Sequence, residues 1–286
     1  MPGTGRRQRK RMIEPFSVQT TDGLLLRGGC RTPEGPIRGV ILLVHGLGEH
    51  LGRYDHVARM LENSGFAVLG TDLRGHGNSE GRRGHVPTFG TLLDDLFQTL
   101  EKAGIAFPGL PLFLYGHSLG GLIVLDFALN RKLEVAGIIS SAPALQICDP
   151  PSAWKLGMVK LLRNLHLHPA VSSGLDDRKL SRDLNVIRAY RNDPLTHNRI
   201  TPALALGMIE AGKRCRKQAA ELSVPALLFH GSDDRITDPV ITRQFAENAG
   251  GNCTFKMLSG VLHEPHNAPL KKQVFELILN WLNDRL

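Results

Sequence analysis

From residue 39 onward, short and uniformly apolar runs recur along the chain: "GVILLVH" (39–45), "FAVLGTDL" (66–73), "PLFLYGHS" (111–118), "VAGIISSAP" (135–143) and "PALLFHG" (225–231). A run that is apolar throughout, rather than at alternate positions, is what a strand buried on both faces requires. Between the runs the period changes. Residues 54–63 and 91–103 carry apolar side chains at i, i+3, i+4 spacing, which predicts amphipathic helices, and 119–130 predicts a third that is apolar nearly all round. Alternation of strand and helix predicts an α/β fold with a mostly parallel, doubly wound sheet. Ahead of it, "FSVQTTDGLLLRGGCRT" reads as two short strands around a Thr-Asp-Gly turn, an antiparallel start.

The rhythm fails between about residues 146 and 216. This segment opens on Asp149-Pro150-Pro151 and holds no strand-like apolar run, so it predicts a helical cap (146–216) inserted into a core of residues 13–145 and 217–286. Within it, "AWKLGMVKLLRNLHL" puts Trp154, Met158, Leu161, Leu162 and Leu165 largely on one helical face, with Lys155, Lys160 and Arg163 elsewhere. The plain expectation is a helix packing that stripe onto the domain. The functional alternative is a lid bearing an acyl-chain tunnel or a membrane-facing surface.

Composition changes this picture little. The 286 residues, 42% hydrophobic and 22% charged, have the balance of a soluble protein with one substantial core. The net charge of +8 could suggest nucleic acid, but Arg6, Arg7, Arg9, Lys10 and Arg11 supply five of those charges from a solvated basic arm (residues 1–12), leaving +3. With three Tyr, two Trp and no basic-aromatic stripe, no nucleic-acid partner is expected. The arm is followed by no apolar segment of a secretory signal. Its functional alternative is attraction to anionic lipid, about 1 kcal/mol per basic residue. No run approaches the ~18 apolar residues of a membrane span. Cys30, Cys148, Cys215 and Cys253 lack ligand spacing, which predicts reduced thiols in a cytoplasmic setting and no structural zinc.

Candidate chemistry begins with two matches to G-x-S-x-G, "GNSEG" (77–81) and "GHSLG" (116–120). A nucleophile elbow needs a strand running into the turn and a helix leaving it, with small flanking residues where backbones approach closely. Ser118 has "PLFLY" before it, Gly116 and Gly120-Gly121 around it and "LIVLDFALN" after it; Ser79 lies in the polar, Gly-rich "DLRGHGNSEGRRGH" and reads as a loop residue. A serine hydroxyl is a weak nucleophile unless an oriented base takes its proton. The carboxylate and histidine should lie downstream in that order. "PALLFHGSDDRITDP" offers Asp233, Asp234 and Asp238, and "CTFKMLSGVLHEPH" offers His263 and His266.

Taken together, "HGLGEHLGRY", "DLRGHGNSEG", "GHSLGG", "GSDDRITDP" and "GVLHEPHN" resemble the monoacylglycerol lipase and lysophospholipase branch of the α/β-hydrolases, over most of residues 15–286. The resemblance implies that the acid is the fourth residue of a G-x-x-D turn, Asp234 counted from Gly231, and the base the fourth of a G-x-x-H turn, His263 counted from Gly260. Asp233 and His266 then become neighbours in turns, and His230, ending a strand, a structural residue. Donors for an oxyanion are expected from the backbone N–H of Leu119, the residue after the nucleophile, and of Leu47 in "HGLG", which resembles the family's oxyanion loop. His45 and His50 read as loop supports and Glu49/Arg53 as a structural pair.

The expected activity is a serine ester hydrolase working through an acyl-enzyme, with no metal or organic cofactor, and the resemblance implies a monoacylglycerol or related single-chain lipid as its substrate. A lysophospholipase or broad carboxylesterase is the alternative within the class. The same triad can serve a C–C bond hydrolase, a cofactor-free haloperoxidase or an acyltransferase. A non-catalytic lipid-binding protein is the alternative outside it. Epoxide hydrolase and dehalogenase are disfavoured because their elbow nucleophile is Asp. Peripheral membrane contact through the cap or the basic arm is a further expectation.

Overall fold

A computed structural model describes residues 14–131 and 134–286; the basic arm of residues 1–12 lies outside them. In chain order the elements are β1 (Glu14–Gln19), β2 (Leu25–Arg31), β3 (Gly39–Val44), α1 (Asp55–Asn63), β4 (Phe66–Thr71), α2 (Phe89–Ala106), β5 (Leu112–His117), α3 (Leu119–Asn130) and β6 (Gly137–Ser141). There follow α4 (Ala153–Asn164), β7 (Val171–Ser172), α5 (Leu184–Asn192), β8 (Arg199–Ile200), α6 (Pro202–Lys217), β9 (Ala226–Gly231), α7 (Pro239–Ala249), β10 (Cys253–Leu258) and α8 (Lys271–Asn283).

Eight strands form one sheet in the order β1-β2-β4-β3-β5-β6-β9-β10. The pairs β1/β2 and β2/β4 are antiparallel and all others parallel, as the opening hairpin pattern and the later apolar runs predict. Every residue of β3, β4 and β9 is buried, which is why their sequences are apolar without alternation. β10 lies at an edge, and its alternating half-buried and exposed positions follow from covering one face only.

Helices cover both faces of the sheet. On one face Leu96 and Leu100 of α2, Leu122 and Phe127 of α3, and Leu204 of α6 join the inward residues of β3 and β5; on the other, Val57 and Leu61 of α1 meet Ile278 and Trp281 of α8 across Phe66 and Phe113. Burying each such side chain contributes about 1.5–3 kcal/mol. α2 starts two residues before the predicted span, where Thr88 caps it by accepting a hydrogen bond from the Thr91 N–H, and ends three residues after it. α3 is buried from Leu119 through Phe127, since it lies between the sheet and α6, and so carries no amphipathic stripe.

The segment between β6 and β9 departs from expectation in two respects. It contains a small antiparallel pair, β7 with β8, of two residues each, too short to leave an apolar run in the sequence. More important, α4 does not pack its stripe onto the domain: none of its residues is buried, and Trp154 is 69%, Met158 50%, Leu161 52% and Leu165 58% exposed. Its half-buried positions are instead Leu156, Val159, Leu162 and Arg163, the last of which pairs with Glu210 of α6. An amphipathic pattern specifies that a face is apolar, and cannot say what that face meets.

Candidate active site

Four turns meet at the carboxyl ends of β3, β5, β9 and β10, the end of a parallel sheet at which ligands bind in open α/β folds. Ser118 occupies the single residue between β5 and α3, with φ 54° and ψ −114°. A positive φ is costly for a residue with a side chain, and is held here by the packing on either side of the turn. A Cβ on Gly116 would lie 2.2 Å from the Gly120 carbonyl oxygen, and one on Gly120 would lie 2.0 Å from that of Val44. The flanking glycines are therefore steric requirements of the elbow, whereas those beside Ser79 serve a different turn.

His263 lies on the turn after β10 and Asp234 on the turn after β9. His263 Nε2 is 3.0 Å from Ser118 Oγ, and His263 Nδ1 donates to Asp234 Oδ2 at 2.7 Å. Both side chains are buried, while Ser118 keeps partial exposure. Burial opposes charge on Asp234, but the positive edge of His263 and the hydrogen bonds from His230 and His263 outweigh it and hold the carboxyl far below its ordinary range. For His263 burial favours the neutral ring, and the adjacent Asp234 overrides this and raises its pKa above the ordinary histidine value.

The loop after β3 approaches from the other side. A Cβ on Gly46 would lie 3.3 Å from the Ser118 Cβ, so the backbone of 45–48 passes directly over the serine. Leu47 sits on this loop and Leu119 is the first residue of α3, with its N–H at the helix N-terminus. Glu49 anchors the loop: its Oε1 accepts from the Gly46 N–H at 2.6 Å and from the Tyr54 hydroxyl at 2.7 Å, and Oε2 pairs with Arg53. His45 supports the same loop, accepting from the Leu73 N–H at Nε2 and donating from Nδ1 to the Gly46 carbonyl.

The other sequence candidates lie elsewhere. Ser79 is buried in a loop, donating to the Asp72 carbonyl at 2.6 Å and accepting from the Arg27 N–H at 2.8 Å. Asp233 points outward and pairs with Arg182. Asp238 caps α7 by accepting from the N–H of Val240 and Ile241. His266 is buried and stacked on Tyr54, with ring centroids 4.8 Å apart. His50 pairs with Asp193 through Nε2 at 2.9 Å.

Sequence reasoning missed three contributors. Thr237 Oγ1 lies 2.9 Å from Asp234 Oδ2 and 3.3 Å from His263 Nδ1. Glu264 receives both Nη atoms of Arg53, so Arg53 ties the loop after β3 to the residue beside His263. The His117 ring lies tilted against that of His263, centroids 4.8 Å apart, and burial followed by that neighbour pushes its pKa down to about 3, leaving it neutral. Glu264 adjoins His263, His117 adjoins Ser118 and Thr237 lies three residues from Asp234, but the Arg53–Glu264 and His117–His263 contacts join residues far apart in the chain. Among the described residues no group of three or more His, Cys, Asp or Glu is arranged to hold a metal ion.

Residues 35–269 match the hydrolase family described as "Serine aminopeptidase, S33". A monoacylglycerol lipase of Mycolicibacterium smegmatis is 35% identical over 257 residues, which cover 89% of this chain and 91% of that one. An uncharacterized abhydrolase domain-containing protein of Dictyostelium discoideum is 34% identical over 273 residues, 94% of this chain but only 29% of that protein's length. The crystal structure of the Paleococcus ferrophilus monoacylglycerol lipase superposes with a TM-score of 0.84 at 32% identity, over 91% of this chain and 99% of that one.

Proposed function

Because the chain belongs to the α/β-hydrolase family described as "Serine aminopeptidase, S33", we propose that it is a serine ester hydrolase that cleaves a monoacylglycerol through an acyl-enzyme. The observation that carries the reading is the relay of Ser118 Oγ, His263 and Asp234, at 3.0 and 2.7 Å, beside a loop whose backbone at Gly46 lies close to the serine. The choice of an ester over a peptide rests on the relatives named as monoacylglycerol lipases and on the nearby carboxylates. Glu49 and Glu264 are both engaged by Arg53, so neither is available to hold the ammonium group that an aminopeptidase must recognise.

In this reading Ser118 Oγ attacks the ester carbonyl as His263 Nε2 takes its proton. Asp234 keeps Nδ1–H as the donor side of the ring and stabilises the imidazolium that forms. The N–H groups of Leu47 and Leu119 receive the oxyanion, each contributing about 2.7–4 kcal/mol to the transition state. His263 then protonates the departing glycerol oxygen, and water activated by the same ring releases the fatty acid. No step requires a metal or an organic cofactor.

Residues 146–216 act as a cap on the core of residues 13–145 and 217–286, and the exposed stripe of α4 supports contact with a lipid surface from which substrate is drawn. No helix among the described residues is long and apolar enough to cross a membrane, so contact would be peripheral. The test is turnover of monoacylglycerols, lysophospholipids and short esters, together with labelling by a fluorophosphonate probe. Preferred turnover of monoacylglycerol and labelling at Ser118 are expected. Folded protein that resists labelling at Ser118 would sink the proposal.

A further inference from the structure

We infer that His230 is a positioning residue for Asp234, donating its Nε2–H to the same carboxylate oxygen that accepts from His263. The inference rests on the assignment of Ser118, His263 and Asp234 proposed above. His230 is the penultimate residue of β9, fully buried, and its Nε2 lies 2.8 Å from Asp234 Oδ2. On its other side, Nδ1 lies 2.9 Å from Thr242 Oγ1 on α7.

Nε2 also lies 3.2 Å from Thr237 Oγ1, but the shorter contact with the carboxylate determines the tautomer. A lone pair on Nε2 would face a carboxylate oxygen across 2.8 Å, two acceptors with no proton between them in a site without bulk solvent. Nε2 therefore carries the proton, and the Thr242 hydroxyl donates to Nδ1. Asp234 Oδ2 then has three donors at hand, namely His263 Nδ1–H at 2.7 Å, His230 Nε2–H at 2.8 Å and the Thr237 hydroxyl at 2.9 Å, the last of which also faces the Ala142 carbonyl at 3.1 Å. Oδ1 accepts from the N–H groups of Ile236 at 2.7 Å and Thr237 at 3.2 Å. The carboxylate is thus oriented by its own turn and strand before His263 engages it.

Charge follows geometry. A second imidazole N–H on Oδ2 draws negative charge away from the first, so Asp234 pulls less strongly on the His263 proton than it would alone. His263 consequently stays neutral, and able to act as a base, to lower pH. The groups facing His263 from the surrounding elements are Asp234, Glu264 and Glu49, which favour its protonation, and the neutral His117 and His266 rings. On Asp234, besides the two histidines, Cys148 Sγ lies 3.8 Å from the backbone carbonyl. Substitution at His230 leaves all of these in place.

Two measurements test the inference on the full chain. 15N NMR of histidine-labelled wild-type protein, across about pH 6 to 8 where histidines titrate, should find His230 protonated at Nε2; an Nδ1–H tautomer would overturn the inference. In His230→Leu, the acid limb of the kcat/KM profile on a soluble ester should move up by about 0.5–1 pH unit. In His230→Gln, whose amide can donate to the same oxygen, it should stay near the wild-type position. Loss of stability in both variants with an unmoved acid limb would mean a purely structural role and would refute the inference. If His230→Leu does not fold, the wild-type tautomer and the Gln profile decide. Failure of Ser118 to label in the wild type would count against the hydrolase reading itself, whereas a labelled protein with the other His230 tautomer would count against this inference alone.

Discussion

Arg53 and Glu264 meet in a two-pronged ion pair, 2.8 and 3.0 Å, while the same guanidinium also pairs with Glu49. One buried cation therefore joins the loop over Ser118 to the turn carrying His263, and Tyr190 of α5 stacks on it from the segment above. Replacement by Met would strand two buried carboxylates. Breaking such a pair costs about 3–5 kcal/mol, so Arg53→Met should lower the urea midpoint by that equivalent. It should also reduce kcat/KM on a short ester at least about tenfold, through a displaced loop or His263 turn. Unchanged values in both assays would show that the network does not hold the two turns together.

The two serines in G-x-S-x-G settings separate cleanly by experiment. Ser118→Ala should abolish turnover of any ester and labelling by a fluorophosphonate. Ser79→Ala should keep turnover near wild type and cost about 1–3 kcal/mol of stability, since it leaves the Arg27 N–H without its acceptor and the Asp72 carbonyl without its donor. Comparable kinetic losses in both variants would reverse the choice of nucleophile.

The neighbouring aspartates differ in the same way. Asp234 receives five donors in the buried site, whereas Asp233 forms an exposed pair with Arg182. Asp234→Asn should lower kcat by about 10³–10⁴, and Asp233→Asn should leave kcat within about twofold, as exposed ion pairs contribute little. A larger loss from Asp233→Asn would shift the acid by one position.

The proton linkage has opposite signs for the two charged members of the relay. His263 has a folded-state pKa above its unfolded one, so its protonation stabilises the fold at low pH, and that contribution is lost as pH rises through the folded value. Asp234 has a depressed pKa, so its contribution is present above the unfolded carboxyl value and lost as pH falls below it. Turnover requires neutral His263, and kcat/KM should accordingly fall on the acid side through a pKa above that of a free histidine. An acid limb below the ordinary histidine value would contradict the dominance of Asp234 over burial.

The exposed face of α4 predicts a substrate-dependent phenotype. Trp154→Asp combined with Leu161→Asp removes apolar surface from residues that are 69% and 52% exposed. The melting temperature should not fall, and turnover of a soluble ester should persist. Binding to lipid vesicles and turnover of monoacylglycerol presented in them should drop by about tenfold or more, because each buried large side chain contributes about 1.5–3 kcal/mol. Equal losses on soluble and vesicle-borne substrates would place these residues in the fold or the site instead.

Much of this protein follows from local pattern. Apolar runs specify strands buried on both faces, i, i+3, i+4 spacing specifies α1 and α2, and Gly116-His117-Ser118-Leu119-Gly120 specifies an elbow because only small residues fit where backbones lie within contact of one another. Such features need only neighbours in the chain, so they are written in short stretches of it. Other features depended on which turns the sheet order β3-β5-β6-β9-β10 brings to one end. That order brought the Asp234 turn against His263, set His263 on Ser118, and put Glu264 within reach of Arg53. It also left the stripe of α4 facing outward, where pattern alone suggested packing onto the domain. Hydrogen bonds and ion pairs between residues tens to hundreds of positions apart have no period and no fixed spacing, so they become determinate only when the tertiary fold sets the distances at which donors, acceptors and charges act.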